Sequence, residues 1–239
     1  MSRDKDPIAR SDEHNSRGIE LADRGWLDEA IKEFQKAIAL DPTSAHAHDN
    51  LACFLATHGS EMAVAEYKDA IQLDPEYPDA HLNLGLTYAD QGKSDEAKKE
   101  LELAIELDAK DPFPRHELAA LLMDEGDYRG AITQLKEVVR LEPDGFEAHL
   151  DLGICYAQKG FYAEAERAYD RARELSPDDL LLNYNTAALY ALWGKLDASI
   201  AALRKAVAAD PAKVRGWLAS DPMFDGLKER KEFEEMARG

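Results

Sequence analysis

Apolar positions recur along this chain at helical spacing, in pairs of short segments. Within residues 78–111, Leu84 and Tyr88 are followed by Ala97, Leu101 and Ala104, at steps of three or four that lay one apolar stripe on each of two helices. Gly92 separates the two segments and Asp108 marks the end of the second. The arrangement returns with a period of 34 residues, six times between Ser11 and Lys213. Gly25, Gly59, Gly92, Gly126, Gly160 and Gly194 share one slot, and Ala30, Ala63, Ala97, Ala131, Ala165 and Ser199 another. Phe34, Tyr67, Leu101, Leu135, Tyr169 and Leu203 follow four residues later. A fixed period of this length predicts an all-α chain built from one helix-turn-helix unit stacked on copies of itself.

Seven residues before the recurring glycine stand Gly18, Gly85 and Gly153, with Ala52, Ala119 and Ala187 in the same slot of the other units. Glycine inside a helix costs about 1 kcal/mol against alanine, so its return at one position predicts close approach of a neighbouring helix. Pro42, Pro75, Pro143, Pro177 and Pro211 close five units, with Ala109 in the third. Proline lacks an N–H and clashes with the preceding turn, so it is expected to stop the second helix.

These slots resemble those of the tetratricopeptide repeat (TPR) family over about 85% of the chain. The resemblance implies a right-handed α-solenoid, a superhelix, of repeats at 11–44, 45–77, 78–111, 112–145, 146–179 and 180–213. Residues 1–10 read as a flexible lead-in. Residues 214–239 resemble the capping helices that end such arrays, with a helix expected from Pro222 to Ala237 after the N-cap Asp221 and with Glu229, Lys231 and Glu235 outward. Departures are local. His14, His48, His81, Arg115, His149 and Asn183 stand where the family usually has tryptophan, and the second unit is one residue short in its turn, around His58–Ser60.

The chain has 239 residues, 45% hydrophobic and 32% charged, with a formal net charge of −19. That charge argues against nucleic acid, which needs a basic stripe, and against anionic membrane surfaces. It is uneven: Asp41–Asp90 carries nine acids against Lys68 alone, whereas Leu181–Gly239 is nearly balanced. No apolar run reaches the 18 or so residues of a membrane span, and Met1–Arg10 has no apolar stretch of the kind a secretory signal needs. Cys53 and Cys155 sit three repeats apart, too far for a disulfide between stacked helices, which points to a cytoplasmic setting.

Catalytic signatures are missing from the sequence. Gly92-Lys93-Ser94 has Thr87 where a phosphate loop needs its first glycine, and His116-Glu117 has no second histidine for a zincin. His14, His48, His81 and His149 fall once per repeat in one slot, so no two share a coordination sphere. They read as aromatic replacements for tryptophan, and no metal, cofactor or catalytic residue is expected. Tyr67, Tyr88, Tyr156, Tyr169 and Tyr190 read as core.

The resemblance further implies that the first helix of each unit lines a concave face. Carried onto this chain, its peptide-contacting slots hold Asp49, Asn50, Asp79, Leu82, Asn83 and Phe113, then Glu117, Glu147, Asp151, Leu181, Tyr184 and Asn185, with Asn15, Thr57 and Asp90 in further lining slots. None of these slots holds lysine or arginine, so the basic half of the clamp by which some TPR modules grip a chaperone's terminal carboxylate is missing. Asn50, Asn83 and Asn185 share a slot, and an amide both donates and accepts, which suits the backbone of an extended peptide. The expected function is a non-enzymatic scaffold that binds a neutral or basic peptide segment. The alternatives are a self-assembling scaffold, hence a homo-oligomer, or a regulatory or assembly subunit of a larger complex.

Overall fold

A computed structural model describes residues 6–57 and 62–238. Among these the chain forms fourteen α-helices and one 3₁₀ segment, with no strand. In order they are α1 (Pro7–Asp23), α2 (Leu27–Leu40), α3 (Ala45–Thr57), α4 (Ala63–Leu73), α5 (Pro78–Asp90), α6 (Ser94–Leu107) and α7 (Phe113–Asp124). There follow α8 (Tyr128–Leu141), α9 (Phe146–Gln158), α10 (Tyr162–Leu175), α11 (Leu180–Leu192), α12 (Leu196–Ala209), α13 (Pro211–Leu218), the 3₁₀ segment (Pro222–Leu227) and α14 (Lys231–Arg238). The chain divides within α7 into two compact units, Met1–Glu117 and Leu118–Gly239. In the first, α1 packs on α2, α3 on α4 and α5 on α6, with α2 against α3 and α4 against α5. In the second, α9 packs on α10 and α11 on α12. The short turn expected around His58–Ser60 lies outside the described residues.

The five described turns within hairpins share one construction. At Gly160 the backbone takes φ 77°, its N–H donates to the Ala157 carbonyl at 3.0 Å, and the Phe161 N–H reaches back to Tyr156 at 2.9 Å. This paired closure satisfies carbonyls that the helix end would leave orphaned. A Cβ there would meet nothing within 4 Å, so backbone conformation, rather than space, requires the glycine. The helices that follow open with acids such as Asp28, Glu29, Asp95 and Glu96, which complement the positive end of the helix dipole.

The earlier glycines have the other cause. A Cβ on Gly153 would lie 2.2 Å from the Tyr169 ring, and one on Gly18 2.6 Å from Phe34, whereas on Gly85 it would meet the Leu101 side chain at 3.0 Å. Each first helix thus carries a gap that receives the bulky residue from its second helix. Beside it, Ala30, Ala63, Ala97, Ala131 and Ala165 are fully buried, as is Ser199, whose hydroxyl donates to the Ala187 carbonyl at 2.7 Å.

Proline is not required to end a second helix. Asp41, Glu142 and Ser176, each before a proline, sit in extended geometry, but so does Asp108 before Ala109, at φ −129° and ψ 88°. There the Asp108 carboxylate accepts the Lys110 N–H at 2.9 Å and turns the chain by itself.

The histidines in the tryptophan slot do more than fill space. His14 Nδ1 lies 2.6 Å from Glu33, His48 2.8 Å from Glu66 and His81 2.8 Å from Glu100. Each bond ties a first helix to its second. His149 differs, bonding the Pro143 carbonyl at 2.9 Å.

Both ends depart from expectation. Helix α1 begins at Pro7, so the last four residues of the expected flexible lead-in are helical; Asp6 caps them by accepting the Ile8 N–H at 3.2 Å. The helix expected over 222–237 is split into the 3₁₀ segment and α14, and α13 starts inside the last expected repeat. The 3₁₀ turn brings residues three apart into line, so Phe224 and Leu227 both reach full burial. With Val214, Leu218 and Phe233 they cover Leu203 and Ala206 of α12. Glu229, Lys231 and Glu235 are exposed, as expected.

Gly153→Ala should destabilise the protein by about 1–3 kcal/mol through overpacking against Tyr169, whereas Gly85→Ala, facing a more adaptable leucine, should change stability by less than about 1 kcal/mol. Urea unfolding followed by circular dichroism measures both.

Candidate functional site

In the first unit, α1, α3 and α5 lie side by side and their polar residues bond across the helices. Asn50 Nδ2 donates to Asn15 Oδ1 at 3.3 Å, and Asn83 Nδ2 donates to Asp49 Oδ1 at 3.3 Å. The second Asp49 oxygen accepts the Tyr77 hydroxyl at 3.1 Å, and the Tyr77 ring packs on His46 with centroids 4.8 Å apart. Of the asparagines expected to face a peptide, Asn50 spends one amide donor on this ladder, whereas Asn83 Nδ2 also donates to Cys53 Sγ at 3.3 Å and so has both donors engaged within the face.

Asp49 is only 4% exposed and both its partners are neutral. Burial raises its carboxyl above the usual range, the bonds from Asn83 and Tyr77 oppose this, and exposed Asp79 adds to the rise. Glu117 is half-buried and is raised by the same cause, with His116 opposing and Asp90 adding. Leu82 is buried, whereas Phe113 is 47% exposed. Cys53 beside Asp49 is pushed up to about 11, chiefly by burial, so its thiol stays protonated near neutral pH.

A cavity of about 900 Å³ opens in this unit, lined by Cys53, Thr57, Tyr67, Asn83, Leu86, Asp90, Gln91 and Lys93 among others. Thr57, Asn83 and Asp90 come from slots the sequence assigns to the lining. Lys93 does not. It enters from the turn after α5, with Nζ 2.8 Å from Gln91 and 5.5 Å from the Tyr88 ring centroid. The expectation of a lining without cations fails here because it considered only helix slots.

In the second unit Leu181, Tyr184 and Asn185 of α11 gather in one pocket of about 340 Å³. Its other wall, which the sequence reading missed, is Trp217, Ser220 and Asp221 from the C-terminal segment. Tyr184 donates to Asp221 at 2.7 Å and meets Trp217 edge-on, with centroids 4.8 Å apart. Asn185 Nδ2 is bonded to the Leu181 carbonyl at 2.9 Å. On α9, Glu147 is exposed and Asp151 partly buried. Cys155 is pushed up to about 12 by burial and then by Asp151.

Family models described as "Tetratricopeptide repeat" match residues 116–179, 158–214 and 78–111, and one described as "TPR repeat" matches 18–58 and 61–92. The chain belongs to the tetratricopeptide repeat family. This TPR chain is 28% identical over 170 residues to Protein O-mannosyl-transferase TMTC1 of Homo sapiens, covering 69% of the chain and 19% of that protein. It is 33% identical over 93 residues to Cell division cycle protein 27 homolog A of Arabidopsis thaliana, covering 39% of the chain and 13% of that protein. The chain therefore spans less than a fifth of the length of either relative. Among solved structures it is similar to YrrB, a TPR protein with an unusual peptide-binding site, at TM-score 0.68 and 26% identity, covering 74% of this chain and 92% of that one. It shares its fold with pilF of Pseudomonas aeruginosa at TM-score 0.74 and 20% identity, covering 90% and 99%. No helix among the described residues is long and apolar enough to cross a membrane.

An acid with a raised folded value binds its proton more tightly in the native state than in the unfolded chain. Asp49 therefore weakens the fold as pH rises above the ordinary aspartate value of 3.8. Asp49→Asn should raise the urea midpoint at pH 7, and the gain should vanish below about pH 3.8; urea titrations across pH read this directly.

Proposed function

We propose that this chain is a non-enzymatic interaction scaffold that holds a neutral or basic peptide segment along the first helices of its repeats. The observation that carries the reading is the burial of Asp49 and partial burial of Glu117 with no bonded lysine or arginine among the described residues, beside exposed Asp79. Buried carboxylates held above their ordinary titration range are characteristic of sites adapted to something other than stability. A lysine or arginine from a partner supplies the missing charge. The exposed side chains of Phe113 and Leu181 offer apolar anchors, which usually supply most of the affinity at such surfaces. The acids supply selection and faster association. Protonated thiols at Cys53 and Cys155 offer no activated nucleophile, and they suit the reducing interior of a cell. The peptide-binding site named for YrrB is consistent with this reading.

Fluorescence anisotropy with extended peptides of matched length, one rich in lysine and arginine and one in glutamate, tests it. The basic peptide should bind and the acidic one should not. Affinity should fall steeply as salt rises from 50 to 500 mM. Asp79→Lys and Glu147→Lys, both at exposed positions, should each weaken binding about threefold to tenfold, by the roughly 1 kcal/mol of an exposed charge contact. Salt-independent binding, or equal binding of the acidic peptide, refutes the electrostatic part of the reading.

A further inference from the structure

The histidine–glutamate pairs of the first three hairpins are not equivalent. In the first, Glu33 lies 2.6 Å from His14 and 2.6 Å from Lys36, three residues along α2. An internal cation completes that pair. In the third hairpin the position three residues after Glu100 is Leu103. In the second it is Asp69, a carboxylate where the first hairpin has its cation. Residues three apart share a helix face, so α4 presents two acids toward one imidazole from α3. The sole cation of α4, Lys68, is placed over the Tyr88 ring, 5.9 Å from its centroid.

His48, Glu66 and Asp69 each bring a donor atom within 4.8 Å of the others. His48 is 9% exposed, with Nδ1 2.8 Å from Glu66 Oε2. Nitrogen and oxygen ligands bonded to one zinc ion at about 2.0–2.2 Å stand roughly 3.3–3.5 Å apart, so a small opening of this bond admits an ion. Asp69 is exposed and can rotate to meet it. One imidazole with two carboxylates suits zinc and its first-row neighbours, whereas magnesium and calcium prefer all-oxygen shells.

We propose that His48, Glu66 and Asp69 form a site for one divalent transition-metal ion, zinc foremost, with water filling its remaining positions. The ion takes the place that Lys36 holds in the first hairpin and fastens α3 to α4. Histidine spacing in the sequence cannot reveal it, because only one ligand is histidine and the others come from the next helix.

The test is isothermal titration of zinc chloride into the chelator-treated full chain, with thermal unfolding in parallel. Wild type should bind one equivalent at this site and melt at a higher temperature with zinc, and equal magnesium should produce no shift. Asp69→Lys should weaken this binding at least tenfold, yet melt no lower than wild type without metal, since a lysine there reproduces the Lys36 arrangement. His48→Gln should also weaken binding, whereas His81→Gln, in the pair without a third donor, should leave it unchanged. Absence of zinc binding by wild type, undiminished binding by Asp69→Lys, or equal loss in His81→Gln would overturn the assignment.

Discussion

The fold rests on how closely the two helices of a hairpin approach. A glycine or alanine on the first helix and a bulky residue on the second make one joint, most tightly where the Tyr169 ring lies over Gly153 and the Phe34 ring over Gly18. With the second-helix alanines at full burial beside it, the joint fixes how far the backbones can separate. Interiors packed to crystal density transmit such constraints. Once the distance is set, the residues on the outer side of the first helix are positioned without further instruction, and function can vary there freely.

That division appears in the electrostatics. The hairpin interiors of the first unit place histidine against glutamate, whereas the face of α3 and α5 buries Asp49 with only neutral partners. A protein selected for stability alone would place an amide at that position. Keeping the carboxylate leaves the free protein short of its best stability, the pattern expected where a surface is adapted to a partner.

Much of the fold could be read from the sequence because each rule involves residues close in sequence: the apolar stripes, the turn glycine, and the small residue sixteen positions before the large one. The site was less legible. Leu181, Tyr184 and Asn185 do gather, but Trp217 and Asp221 join them from a segment whose sequence signals only a cap. Buried Asp49 takes one of its two partners from Tyr77, 28 residues later. The His48–Glu66 bond spans 18 residues where its counterparts span 19, because the second repeat is one residue short. A fixed period hides partners whose spacing slips.

The end of the chain carries a constraint of its own. Phe224, Leu227 and Phe233 close off the last hairpin, while Trp217 and Asp221 of the same segment form a wall around Tyr184. One stretch therefore both covers α12 and walls the chamber. An insertion after Ala209 that displaced this segment would carry the wall away from α11 and dismantle the chamber, so the cover of α12 and the shape of the pocket cannot change independently.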